Sequence, residues 1–288
     1  MNRRTKEEVF FFILRACAWI VVTTLVVIIG YIFINGIGKI SWSFLTENPQ
    51  EINGALVGGG IFAPLVGTIY LMLIVFAVAI PIGVFGSVFL VEILGNSRIA
   101  RGWWVLVHNL AGVPSIVYGL LGVGLLVYAL HLGLSLIAAG LTLSLLVLPI
   151  VMVATREALE AVPSSLREAS IALGATKWQT VRHHTLPYSA SGILTGTILS
   201  LSRAGGEAAP ILVTGVAATA LIPNSLLSPF QALPYYIYLM GIQTRVDPPL
   251  IDPYPNAYGA ALVLIAVVVL MNLVAIFLRK RYREKYRW

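Results

Sequence analysis

Two stretches of this chain run for 40 and 54 residues without one Asp, Glu, Lys or Arg: Ile52 to Val91 and Gly102 to Thr155. A third, Ala16 to Gly38, flanks them. A helix needs roughly 20 mostly apolar residues to cross a bilayer, so each stretch holds at least one crossing. The rest of the composition agrees. Charged residues make up 11% and hydrophobic residues 58%, against about 25% charged in a soluble domain. Too little polar surface remains to coat a water-exposed fold, which excludes a soluble enzyme. Disorder needs the opposite composition.

The gaps predict an all-α polytopic membrane protein of six spans. The first lies in Ala16–Gly38, behind basic Arg3, Arg4 and Lys6. A cleaved signal peptide would have a shorter apolar core and a small-residue cleavage site; Tyr31-Ile32-Phe33-Ile34-Asn35 is no such site, so this span stays. The second, about Leu65 to Leu90, follows an irregular glycine-rich start, and Pro81 should kink it. The 54-residue gap holds two spans with a turn at Leu130-His131-Leu132-Gly133. The fifth starts near Pro187, since proline suits a first helical turn, and runs past Arg203. A segment with Pro223, Pro229, Pro234 and Tyr235, Tyr236 and Tyr238 suits an interfacial or re-entrant loop. The sixth span is roughly Tyr254 to Leu278.

Six spans put both ends on one side. That side carries fifteen Lys and Arg, six of them in the tail from Arg279, against Lys39 and Arg245 opposite. The positive-inside rule then makes both termini cytoplasmic. The net charge of +7 reads as a topology signal, with no call for nucleic acid. The tail cluster also suits an anionic lipid surface. Residues 1–61 form an arm, first span and external loop, residues 62–278 a five-helix transmembrane domain, and residues 279–288 a basic cytoplasmic tail. Cys17, the single cysteine, acts as a small apolar residue.

The largest cytoplasmic segment between spans, 156–186, is longer than a connector needs. Val162-Pro163 breaks the preceding helix. Ser165 with Glu168 and Thr176 with Gln179 both fit the capping-box spacing. Gly174 suits a left-handed helix end. The segment reads as two short helices, Leu166–Leu173 and one opening at Thr176, with Ile171, Leu173 and Trp178 as apolar anchors. It suits docking into a cleft of a cytoplasmic partner, or packing against the chain's own helix ends.

Glu168-Ala169-Ser170, then Gly174, then Leu186-Pro187 resembles the EAA loop of ABC-importer permeases. Serine replaces the second alanine, and His184 stands where isoleucine is usual. Asn109-Leu110-Ala111-Gly112-Val113-Pro114-Ser115-Ile116-Val117-Tyr118-Gly119-Leu120 and Arg203-Ala204-Gly205-Gly206-Glu207-Ala208-Ala209-Pro210, after Gly192-Ile193-Leu194-Thr195-Gly196, are similar to signatures of phosphate-importer permeases of the PstA type. The resemblance covers nearly all of residues 60–275. It implies the type I importer (MetI-like) fold and a location in the bacterial inner membrane. It implies that the loop at 165–184 couples to a separate ABC ATPase dimer. Two ATPases need two loops, so a second, homologous PstC-like permease is implied, along with an extracytoplasmic phosphate-binding protein. No cofactor is implied in this chain; ATP and Mg²⁺ belong to the ATPase.

Arg203 and Glu207 are the anomaly of the spans. Arg203 lies 16 residues past Pro187, about 24 Å along a helix, and a charge at the membrane centre costs about 2.5–3.5 kcal/mol. Spacing i, i+4 lets the two compensate each other. The pair either bolts this helix to a neighbour or lines a translocation path, where an arginine fork suits phosphate oxygens. Asn109, Ser115 and Tyr118 offer polar atoms near Pro114, which frees a carbonyl near residue 110; they line the path or bond between helices. His108, His183 and His184 lack partners at metal-ligand spacing. With no phosphate-binding glycine loop or nucleophile elbow, the chain is a permease and not an enzyme. The rival readings are another oxyanion such as sulfate or molybdate, an ion-coupled secondary transporter, and a membrane scaffold.

Overall fold

The charge-free stretches are helical in the computed structural model, which describes residues 3–52, 55–217, 222–242 and 254–285. Helix α1, Arg3–Gly36, takes in the basic arm and the first span without a break. A 3₁₀ turn, Ile37–Lys39, and a short α2, Trp42–Thr46, follow. The glycine-rich start of the second gap is a hairpin of β1, Pro49–Ile52, and β2, Ala55–Gly59. Gly59 has φ +82, and a Cβ there would come within 2.7 Å of the Gln50 nitrogen, so only glycine closes this ribbon.

α3, Phe62–Val88, runs through Pro81 without losing helical structure and continues as a π turn, Phe89–Ile93. The expected third span is not one helix. α4, Arg98–Ala111, and α5, Ser115–Gly122 with a π extension to Ala129, meet at an angle of 103°. Pro114 is the reason. It has no N–H to give and pushes the residue before it out of helical geometry. The turn falls where expected, with positive φ at His131 and Gly133. α6, Leu136–Glu160, then starts on a Ser135 cap, whose Oγ accepts from the Ala138 N–H at 3.3 Å.

The 156–186 segment holds α7, Ser164–Ala172, and α8, Lys177–Thr180. α8 is no isolated helix. It passes through a π turn, Val181–Thr185, straight into α9, Leu186–Gly206. Pro187 therefore does not open a fresh helix. The π turn just before it absorbs the missing hydrogen bond. After a break at Glu207-Ala208 come α10, Ala209–Thr214, and α11, Leu233–Ile242. The aromatic segment is thus helical and inserted: Phe230, Leu233 and Tyr236 are fully buried, and the Leu233 N–H donates to Thr68 Oγ1 of α3. Its Pro223, Pro229 and Pro234 all precede or open α11. α12, Tyr254–Lys285, carries the last span through into the basic tail; Arg245 lies outside the described residues.

α3 and α6 form the centre, with α9 on α6, α12 on α9, and α1 on α12. Lipid offers little apolar driving force between helices, so close backbone approach matters more. Gly192 and Gly196 of α9 face Ala158 and Ala154 of α6, and a Cβ on either glycine would collide with those methyls. Ser202 Oγ donates to Asn272 Oδ1 at 2.7 Å, tying α9 to α12. Among the described residues four helical stretches are long and apolar enough to cross a membrane, with the bent α4–α5 pair as a fifth. α9 is more polar, but several of its hydroxyls are satisfied within the helix. Thr195, Thr197 and Ser200 each donate to a carbonyl one turn back.

Candidate functional site

Two groups of residues stand out, at opposite ends of the continuous helix from Lys177 to Gly206. The far end carries Arg203, on the last turn of α9. Glu207 is not on the helix. It sits just past Gly206 in extended conformation (φ −78, ψ 124), yet its Oε1 still reaches Arg203 Nε at 3.3 Å. The pair thus forms at a helix break instead of along a helix face. Arg203 is 45% exposed and Glu207 19%.

The bend between α4 and α5 meets this break. Gly119 of α5 lies against α10, with Pro210 Cα 3.0 Å from where its Cβ would be. The two motifs that frame residues 109–120 and 203–210 are therefore packed together. Tyr118 lies within electrostatic range of Arg203. It is buried, 5% exposed, and its hydroxyl donates to the Leu110 carbonyl at 2.9 Å across the bend. Pro114 cannot give that carbonyl its regular helical donor; it accepts from the Val113 N–H at 3.1 Å and from Tyr118, which ties α5 to the end of α4. Ser115 is half-buried on the first turn of α5, and Asn109 is exposed on the last turn of α4. Gly205 packs on Met72 and Val268, whereas Gly206 faces open space.

The near end is the loop. α7 begins two residues early, at Ser164, with Pro163 ahead of it and no side-chain cap. The expected Ser165–Glu168 capping box is absent because proline already fixes the start. The second box is complete. The Gln179 N–H donates to Thr176 Oγ1 at 3.2 Å, and the Thr176 N–H to Gln179 Oε1 at 2.8 Å. Gly174 closes α7 at φ +88. Glu168, Ala169 and Gly174 are exposed. Ser170 is buried and exchanges a 3.0 Å hydrogen bond with Thr180, a bond the alanine it replaces lacks. Leu186 packs on a small cluster of Val88, Leu159 and Val181, and Pro187 is half-buried. Leu173 is 89% exposed, with Ile171 and Trp178 about half exposed beside it.

Sequence reasoning missed Arg167. Its Nη2 meets Glu92 Oε1 at 2.9 Å. Nη1 donates to the Val162 carbonyl and Nη2 to the Leu159 carbonyl, both at 2.7 Å. Glu92 lies 75 residues away in sequence, and no local pattern announces such a pair. Nearby, Arg156 stacks 4.7 Å over the Trp104 ring and pairs with Glu160 at 2.7 Å.

Residues 53–288 match the family described as binding-protein-dependent transport system inner membrane component. The chain is 31% identical to a probable ABC transporter permease protein, YqgI, of Bacillus subtilis, over 96% of this chain and 95% of that one. It is 38% identical to the phosphate transport system permease protein PstA 1 of Mycobacterium tuberculosis, over 77% and 71%. With the probable phosphate transport system permease protein PstA of Methanocaldococcus jannaschii it shares 32% over 98% and 95%. Among solved structures it superimposes on a chain of a bacterial alginate ABC transporter in complex with alginate pentasaccharide-bound periplasmic protein, with TM-score 0.66, 14% identity, and 96% of each chain covered. A chain of the MetNI methionine ABC transporter in an inward-facing conformation gives TM-score 0.58 and 20% identity, over 77% of this chain and 94% of that one.

Proposed function

The chain belongs to the inner membrane components of binding-protein-dependent transport systems, and from that premise we propose how it carries its cargo. It is the transmembrane permease subunit of an ATP-driven importer, a multi-pass membrane protein that leaves ATP hydrolysis to a separate subunit. Inorganic phosphate is the cargo, as for its PstA relatives. The finer picture has six spans, with α9 as the fifth, both termini cytoplasmic, and the bacterial inner membrane as location.

The carrying observation is the exposure of Arg203. A guanidinium nearly half exposed on a membrane helix cannot face lipid, where charge is excluded. It faces a water-filled path or a second permease lining that path. Its planar fork suits phosphate oxygens. Glu207 competes for the same charge and keeps the anion from binding too tightly to leave. Ser115 and Asn109 flank the route beside the bend, and Tyr118 fixes the bend itself.

At the other end Glu168, Ala169 and Gly174, with exposed Leu173, present the coupling surface. Ser170 and Leu186-Pro187 hold that surface on the body of the protein. An ABC ATPase dimer, with ATP and Mg²⁺, docks there and on the corresponding loop of a homologous PstC-like permease. An extracytoplasmic phosphate-binding protein delivers the ion. The test is phosphate uptake by a strain lacking this chain, complemented with wild type or Arg203→Ala. Uptake restored by the wild type and lost in the inserted variant supports the reading. Full uptake by Arg203→Ala overturns the role of Arg203. No phosphate uptake with wild type, but uptake of another oxyanion, reassigns the cargo.

A further inference from the structure

α7 touches the rest of the protein in an unusual way. Its one buried residue is Ser170, whose bond to Thr180 stays inside the loop. Its apolar Ile171 points outward, as do Leu173 and Trp178 just beyond it. No apolar side chain of α7 is buried in the transmembrane core. Leu166 is half-buried and α7 touches the Val181–Thr185 turn, but its charged attachment to α3 and the end of α6 is Arg167.

One guanidinium makes three attachments. Nε and Nη2 bind the Glu92 carboxylate at 2.9–3.3 Å, on the π turn that extends α3. Nη1 and Nη2 bind the Val162 and Leu159 carbonyls, at and just past the end of α6, where carbonyls run out of regular helical donors; Leu159 O also accepts from the Val162 N–H at 3.2 Å. Glu92 is 9% and Arg167 22% exposed, so both charges are largely withdrawn from water. Simple stability does not require that expense, since an apolar contact would hold the loop as well. The chain itself joins the loop to the end of α6 and, past the Gly174 turn, through α8 to α9. Without Arg167 nothing polar among the described residues ties α7 to α3.

We propose that Arg167 is a positioning residue. It clamps α7 to α3 through Glu92 and to α6 through two carbonyls, so that displacement of the loop by the ATPase reaches three spans together. The proposal rests on the reading of the loop as the ATPase contact. It adds that coupling, and not only docking, depends on a pair no local motif contains. Lysine keeps the charge but cannot fork to a carboxylate and two carbonyls at once.

The experiment uses the full transporter in proteoliposomes, with Cys17→Ala as background and spin labels at Ser165→Cys and Asn96→Cys. Both positions are exposed; one reports on α7 and the other on the cytoplasmic end of α3. Two quantities are read, phosphate imported per ATP hydrolysed and the label separation with and without ATP. In wild type the separation stays fixed. Glu92→Gln and Arg167→Gln broaden it and lower the import ratio about tenfold, within the usual range for coupling between sites. Arg167→Lys recovers part of the ratio. An unchanged ratio and an unbroadened separation in both glutamine variants overturn the clamp. A wild type that hydrolyses ATP without importing phosphate overturns the cargo assignment alone, because the label separation still decides the clamp.

Discussion

Arg203 and Tyr118 show how far single residues can be read. The charge pair at 203 and 207 was legible because charges are rare in apolar sequence, and the two side chains do meet. Its setting was not legible: the helix ends at Gly206, and a spacing of four fits a helix and a tight break alike. Arg203→Lys keeps the charge and loses the fork, so it should insert normally while its apparent affinity for phosphate falls about tenfold, the equivalent of about 1.4 kcal/mol, in an uptake titration. Tyr118 illustrates the opposite case. Proline at 114 announces a free carbonyl near residue 110, but only the fold shows the phenol eight residues on that donates to it. Tyr118→Phe removes one of two donors to the Leu110 carbonyl, which keeps the Val113 N–H, at a cost of about 1 kcal/mol. The expected result is a lower melting temperature in detergent with Arg203 intact.

At the scale of elements, apolar length set the helices and local chemistry set their ends unevenly. Thr176–Gln179 formed its box because nothing else fixes that start. Ser165–Glu168 did not, because Pro163 already had. Gly174 ended α7 as its position implied. Gly174→Val, forced into positive φ, should cost about 1–3 kcal/mol locally; ATPase co-purification would fall while the spans still insert. Gly192 and Gly196 were legible as a motif but not as a contact. A larger side chain at Gly196 pushes α9 off Ala154 of α6, an overpacking worth about 1–3 kcal/mol. Gly196→Leu should therefore lower the thermal midpoint more than Gly206→Leu, which meets open space.

For the whole molecule, the two sequence signatures at 109–120 and 203–210 converge on one end of α9 and the loop occupies the other. Composition foretold a polytopic membrane protein, and the motif resemblance a permease. They could not foretell the folded-back third span or the buried aromatic helix, because both depend on contacts between distant segments. Leu173 is the outermost apolar residue of the loop, and Leu173→Asp should abolish retention of the ATPase by the purified complex. Being 89% exposed, it can change without disturbing the fold, so the melting temperature of the isolated chain should hold.

The uninterrupted run of helix from Lys177 to Gly206 makes α9 a lever. Arg203 stands about 33 Å from the π turn at Val181, at 1.5 Å per residue. Swung about that turn through about 10°, it travels about 6 Å, roughly one helical pitch. A small push at the base is thus a long stroke at the tip, long enough to move the Arg203 guanidinium by about one turn of a neighbouring helix.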